Sequence, residues 1–484
     1  MSPLIPLLIP LVGAFGIALT GRWPNVREGV TLVTGVALLI AVLMMAPAIM
    51  DPTLPNPSWE GPELVLGLKI SFQLEPLGLL YALVGAALWI PNSIYSIGYM
   101  RGHHEKNQTR FYVCFALALT SVMGIAFSGN LFTLFTFYEA LSIVTFPLVT
   151  HHGSPEAKRS GRIYVGILFG TSMAFFLAAI LGTYVLTDGD MTFRAGGILM
   201  DVAPMAVGVL YVLFMLGIGK AALMPFHWWL PAAMVAPTPV SALLHAVAVV
   251  KAGVFCVLKI SVYVFGIDLI ASDATGSWLI YLASFTVLTA SVVALYQDNL
   301  KARLAYSTIG QLGYIVLGAA LGTTLGIVGG GVHVAMHAFG KITLFFCAGA
   351  IYVATGKTKV SQLTGLGRQM PITFLAFGIA SLSIIGLPPL GGAWSKWYLG
   401  LGALASDHPF VLAVFLISSL LNVAYLLPIS VRAFFLAPED GKKRGFDEAP
   451  VACLIALSAT AIGSIVLFFY PGPLVALMEM VVAQ

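Results

Sequence analysis

The sequence predicts an all-α polytopic membrane protein of about fourteen transmembrane helices. Three observations carry that prediction. Apolar runs long enough to cross a bilayer follow one another almost from end to end. Charged residues make up 9% of the 484 positions and hydrophobic ones 59%, whereas a soluble domain carries about 25% charged residues. Basic residues gather in alternate loops. A soluble core has no room for this much apolar surface, so residues 1–484 are read as one membrane domain rather than two or three soluble ones.

A spanning helix needs about 20 mostly apolar residues. The runs place spans near 2–20, 29–49, 77–100, 111–127, 130–150, 162–186, 204–227, 238–263, 277–297, 304–322, 325–354, 371–403, 410–436 and 450–478. Residues 1–20 lack a positive n-region, and Arg22 and Arg27 follow the apolar run instead of preceding it. The first run is therefore expected to be a retained span, not a secretory signal.

Loop charge tests the count, because cytoplasmic loops are enriched in Lys and Arg. Arg22 and Arg27 occupy the first loop. The long second loop is acidic, with Asp51, Glu60 and Glu63 against Lys69. Arg101, Lys106 and Arg110 follow, then Lys158, Arg159 and Arg162. The next loop sets Asp188, Asp190 and Asp201 against Arg194. Later basic loops hold Lys301 and Arg303, then Lys357, Lys359 and Arg368, then Lys442, Lys443 and Arg444. With Arg432 at a helix end, 17 of the 24 basic residues fall on one side and two on the other. Both termini are then expected on the non-cytoplasmic side of a plasma (inner) membrane. The loop at 228–237 should be cytoplasmic yet carries no charge.

The remaining five basic residues, Lys220, Lys251, Lys259, Lys341 and Lys396, fall inside spans. Glu139, in LFTLFTFYEALSIVTFPLVTH, is the only acidic residue near the middle of one. A charge at mid-bilayer costs roughly 2.5–3.5 kcal/mol on insertion scales, so each needs a partner, a proton or water. A structural ion pair locking two helices is the plain alternative.

Lys220 lies in LFMLGIGKAALMPFHWWLP, five residues before Pro225, which lacks a backbone donor and disrupts the helix. Freed carbonyls at membrane depth must face water or protein. Lys220 and His227 are thus expected to flank a break lining a polar cavity, although His227 could equally be an interfacial histidine packed on Trp228 and Trp229. In VAPTPVSALLHAVAVVKAGVFCVLKI, Lys251 sits mid-helix, and His245 six residues earlier should face another way. Lys259, near the far end, is expected to snorkel.

HVAMHAFGK places His333, His337 and Lys341 at i, i+4 and i+8, one stripe of three titratable groups. No carboxylate or cysteine joins it, which argues against zinc. SIIGLPPLGGAWSKWYLG repeats the interrupted pattern, with Gly386, Pro388, Pro389, Gly391 and Gly392 ahead of Lys396. Two interrupted helices in corresponding halves point to inverted repeats. The expected parts are three N-terminal helices (1–105), a first five-helix repeat (106–265, spans four to eight), a second (275–437, spans nine to thirteen) and a C-terminal helix (450–484). The broken helices are then the seventh and twelfth.

A mid-membrane row of Glu, Lys and His suits proton relay, since histidine titrates near neutral pH and burial disfavours a charged lysine. The residues expected to move protons are Glu139, Lys220, Lys251 and Lys396. His227, His245, His333, His337 and Lys341 are the expected relay. Cys114, Cys256, Cys347 and Cys453 are scattered, without metal spacing. No cofactor or metal is expected. TGKTK (355–359) resembles the end of a phosphate-binding loop, but Ile351 occupies its first glycine position. Energy must come from an ion gradient or from partner subunits. A net charge of +4 gives no case for nucleic acid.

The stretch GIGKAALMPFHWWLPAAMVAPTPVSALLHAVAVVKAGVF, the HAFGK segment and GLPPLGG with its following SK resemble a known superfamily. It comprises the proton-conducting membrane subunits of respiratory complex I, the D subunit of Mrp-type cation/proton antiporters and related subunits of membrane-bound hydrogenases. The resemblance covers most of the chain and is densest over 130–400. It implies a fourteen-helix fold, other membrane subunits as partners, and membership of an ion-translocating complex without catalysis by this chain alone. Glu139 would be the key glutamate of the fifth helix and Lys220 its paired lysine. Lys251 would be the central lysine of the eighth helix and Lys396 the end-of-channel lysine of the twelfth. Ala232 and Ala233 depart from a pattern that often has an acid after WLP. Lysine at 396 leans toward an Mrp D-like member. A stand-alone solute transporter and an inert structural subunit remain the competing readings, and sodium is the alternative ion.

Overall fold

The computed structural model describes residues 1–51, 53–65, 67–272, 275–437 and 445–483, with backbone alone at Val65 and His245. Lys442, Lys443, Arg444 and the His245 side chain therefore lie outside what is described.

The chain is a bundle of apolar helices with one small hairpin. α1 (Leu4–Leu19) and α2 (Pro24–Leu43) precede an antiparallel pair, β1 (Ser58–Val65) and β2 (Leu68–Gln73). Then come α3 (Pro76–Gly102), α4 (Gln108–Ala126) and α5 (Leu131–Val149). α6 (Pro155–Thr171) runs through a wide π-type turn at Ser172–Phe176 into α7 (Leu177–Leu186). α8 (Pro204–Gly217) ends at the first break. α9 (Val249–Ile260), α10 (Ser277–Tyr296), α11 (Leu300–Ala320) and α12 (Thr324–Thr355) follow. α13 (Pro371–Ile385) and α14 (Gly392–Leu404) flank the second break. α15 (Phe410–Phe435), α16 (Val451–Phe469) and α17 (Gly472–Ala483) complete the chain. Among the described residues nine helices are long and apolar enough to cross a membrane.

The long acidic loop expected after α2 contains structure. Leu68, Ile70 and Phe72 alternate with Lys69, Ser71 and Gln73, a period of two that a search for 20-residue runs passes over. The hairpin docks on the start of α5. Gln73 N–H donates to Phe127 O (2.7 Å) and Ser71 N–H to Thr133 Oγ1 (2.9 Å). The run at 450–478 also divides, because α16 stops at Phe469 and Pro471 precedes α17.

α12 is the axis of the bundle. In its apolar window 94% of residues are buried, against 33% in α16, so its polar groups face protein. Thr323 starts it by accepting from Gly326 N–H, and Gly356 ends it in the left-handed region (φ 68°). Gly329 lets α14 approach closely, since a Cβ there would lie 2.6 Å from Leu399 N.

Both breaks occur where Gly and Pro interrupt the apolar run. After α8 the chain makes a tight turn at Gly219–Ala221, and Ala222 is left-handed (φ 55°). Its freed backbone groups find partners. Trp229 Nε1 donates to Gly219 O (3.0 Å), and Met224 N–H donates to Thr286 Oγ1 (3.2 Å). At the second break α13 ends on left-handed Gly386 (φ 92°), and Gly391 N–H donates to Ser464 O (2.9 Å).

Candidate ion path

Lys220 follows the first break and is 0% exposed. A side chain that no water-sized sphere touches does not line an open cavity, so the cavity-lining position expected for it is not what the fold provides. Instead Lys220 packs on α5. Its Nζ donates to Tyr138 O (2.7 Å) and Ser142 Oγ (2.7 Å) and lies 3.2 Å from the centroid of the Tyr138 ring. Glu139 is buried beside it, acted on by the charge of Lys220 and by Ser172 of the wide turn. Among the described residues no carboxylate oxygen comes within 4.0 Å of Lys220, Lys251 or Lys396. The Glu139–Lys220 couple is therefore a through-space one.

α9 meets the same break. A Cβ at Gly253 would run into the backbone of Lys220 and Ala221. Two residues earlier, Lys251, also 0% exposed, points to α12, its Nζ 2.5 Å from His337 Nδ1. An ammonium can only donate, so Nδ1 accepts when Lys251 is charged. With the hydrogen on Nδ1 the neutral amine accepts. The two states differ only in which atom owns one proton.

From His337 the line continues along α12. The His337 and His333 rings are 5.7 Å apart and near-parallel. His333 Nε2 meets Gln311 Oε1 of α11 (3.1 Å) and Nδ1 meets Ser395 Oγ of α14 (2.8 Å). Its ring stacks on Tyr314 at 5.7 Å. Beyond Tyr314 lies Lys396, with Nζ 4.8 Å from that ring centroid. Lys396 donates to Ile385 O (2.9 Å), a freed carbonyl of the second break, and to Ser419 Oγ of α15 (2.9 Å). Lys251, His337, His333, Tyr314 and Lys396 thus form one contiguous file.

Lys341 continues the histidine stripe, near enough to Lys251 for the two charges to act on each other, and its Nζ donates to Leu304 O (3.3 Å). His227 packs on Trp228 (4.7 Å between rings) and Tyr306 (6.2 Å). Around His245 the helix widens over Leu243–Val247 and is bent at Ala248 (φ −101°, ψ −80°), so regular helical angles do not relate it to Lys251.

Lys259 does not snorkel. It is 0% exposed, paired with Glu75 (2.9 Å), bonded to Ser128 O (2.7 Å) and set 4.5 Å from the Phe193 ring centroid. Glu75, just ahead of α3, is therefore buried like the expected Glu139, as is Glu28 of α2, which pairs with Arg27 and Arg101. Gln311, Tyr314, Ser395 and Ser419 were not anticipated. Gln311 and Tyr314 share one face of α11 with Ser307, at i, i+3 and i−4, and that polar stripe in an apolar run was the available signal.

Fold and file together define a multi-pass helical membrane protein organised around buried bases. The chain belongs to the NADH:quinone oxidoreductase/Mrp antiporter transmembrane family, whose model matches residues 128–422. It is 31% identical over 497 aligned residues to NADH-quinone oxidoreductase subunit N of Desulforudis audaxviator (strain MP104C), with 96% of each chain covered. It is 34% identical over 339 residues to a probable K(+)/H(+) antiporter subunit of Rhizobium meliloti (strain 1021), covering 68% of this chain and 33% of that one. The chain thus spans about a third of that relative's length. The same fold occurs in the membrane-bound sulfane sulfur reductase, an archaeal respiratory membrane complex (TM-score 0.85, 24% identity, 100% of this chain and 98% of that one). The superfamily read from the lysine and histidine motifs is the family found.

Proposed function

We propose that this chain is a proton-translocating membrane subunit of a multi-subunit cation/proton antiporter or respiratory-type redox complex. The observation that carries the reading is the file from Lys251 through His337, His333 and Tyr314 to Lys396. Each member is buried or half-buried, and the Lys251–His337 contact is close enough to pass a proton directly. Glu139 and Lys220 form the other end, joined through the Gly253 contact. Lys341, His227 and His245 are outer relay members in this scheme.

The reading includes fourteen spans, with helices four to eight and nine to thirteen as inverted repeats broken at the seventh and twelfth. It puts the basic loops in the cytoplasm and both termini across the membrane. Partner subunits or an ion gradient supply the energy, as the assembly of this chain's relatives into respiratory and antiporter complexes suggests. Protons are favoured over sodium, because an alkali cation wants several oxygen ligands and the file offers mainly nitrogen bases. A stand-alone solute transporter would move its cargo with the purified chain alone.

The test is proton uptake by vesicles containing the whole complex. Glu139→Gln, Lys220→Ala and Lys251→Ala are each expected to lower uptake by about a hundredfold while the complex still assembles. Wild-type uptake in an assembled Glu139→Gln complex would sink the reading and favour an inert structural role.

A further inference from the structure

Two lysines beside two different helix breaks meet an aromatic ring in the same manner. Lys220 Nζ stands 3.2 Å from the Tyr138 ring centroid, and Lys396 Nζ stands 4.8 Å from that of Tyr314. In both pairs the tyrosine precedes the lysine by 82 residues. Both rings are fully buried, and each hydroxyl is anchored beside its lysine, that of Tyr314 lying 3.4 Å from Ser419 Oγ, to which Lys396 donates. Tyr138 Oη accepts from Lys220 N–H (3.2 Å), and Tyr314 Oη donates to Phe415 O (3.0 Å). Tyr138 meets the Phe176 ring only edge to face (5.2 Å between centroids), whereas Tyr314 also stacks on His333 (5.7 Å) and Phe415 (4.8 Å), so Lys396 shares that ring with its aromatic neighbours.

The surroundings of the two pairs differ in one respect. Tyr138 is followed by Glu139, while Tyr314 is followed by Ile315. Among the described residues no carboxylate acts on the second lysine as Glu139 acts on Lys220, so the ring is the element common to both. A cation over an aromatic face is attracted by the ring's quadrupole, and more strongly where water is excluded.

We propose that Tyr138 and Tyr314 are positioning residues of the ion path, each holding the ammonium of the lysine beside a helix break against its ring face. The proposal depends on Lys220 and Lys396 being proton carriers. Removing the negative ring face weakens the hold on the protonated lysine, so the proton is released at lower pH. A ring that merely fills space predicts no such change.

The experiment measures the rate of proton translocation against pH in vesicles holding the intact complex. Tyr138→Phe or Tyr314→Phe keeps the ring face and removes the hydroxyl, so its profile is the reference. Trifluorophenylalanine at the same position keeps the shape and withdraws electron density from the face. The alkaline limb of its profile is expected to move to lower pH by roughly one unit relative to phenylalanine, and Tyr138→Leu and Tyr314→Leu are expected to move it likewise. Superimposable profiles for the phenylalanine and trifluorophenylalanine proteins would overturn the proposal, even where the leucine variants fail to assemble. Lys220→Ala separates the two claims. Normal transport in that variant removes the carrier reading, whereas loss of transport beside unmoved ring profiles removes only the role of the rings.

Discussion

The Lys251–His337 contact places a primary amine and an imidazole 2.5 Å apart with no carboxylate between them. Replacing His337 with Gln keeps a polar neighbour but removes the titrating partner. We expect His337→Gln to slow proton translocation in the whole complex by about a hundredfold with little change in assembled protein, checked by vesicle acidification and by blotting the purified complex. A second titration lies outside the spans. His151, just past α5, is held down to about 4 from its ordinary 6.5, by burial first and then by Arg110 and His152. A backbone hydrogen bond at Lys106 opposes the shift without cancelling it. The unfolded chain therefore binds an extra proton between about pH 4 and 6.5, so this residue's contribution to stability falls as pH drops through that window and is constant above it. His151→Phe is expected to flatten the acid side of a melting-temperature-against-pH curve. At this scale the sequence announced Glu139, Lys220, Lys251 and Lys396, because an ionisable group in an apolar run is conspicuous. It did not announce Gln311, Ser395 or Ser419, since neutral polar residues recur throughout such runs. Lys259 was misread because Glu75, its partner, is remote in the chain, and distance to a helix end looked like access to water.

The two helix breaks were legible because Gly and Pro mark them. The partners of their freed backbone groups were not, because Trp229, Thr286 and Ser464 reach them by tertiary packing. Close approach at the first break depends on Gly253. Gly253→Ala places a methyl against the backbone of Lys220 and Ala221, and overpacking of this kind costs about 1–3 kcal/mol. We expect a lower melting temperature in detergent and reduced proton uptake together. The Glu75–Lys259 pair stitches the end of the hairpin to α9. Removing one partner of a buried pair costs about 3–5 kcal/mol, whereas replacing both by apolar residues of similar volume is often neutral. Glu75→Leu alone should therefore reduce assembled complex sharply, and Glu75→Leu with Lys259→Met should recover much of it. Failure of that recovery would give the pair a role beyond stitching. The hairpin itself was overlooked because a window sized for helices averages away six alternating residues.

For the molecule as a whole, the chain read as a membrane bundle from composition alone, and its family from a few motifs. Orientation is a separate matter, carried by loop charge. Lys106→Cys should react with an impermeant maleimide from the cytoplasmic side only, and Lys69→Cys from the opposite side only. The reverse pattern would invert the topology. What composition could not reveal is how the bundle is closed at its second gap, where Lys396 spans from α14 to the end carbonyl of α13 at Ile385. Hydrogen bonds from charged donors are roughly twice as strong as neutral ones. Were Lys396 to give up its proton, as the proposed path requires, that stitch would weaken by about half. The gap would then be held more firmly with the lysine charged than with it neutral. In the proposed path, a proton leaving Lys396 would thus also change how firmly α13 and α14 are held together.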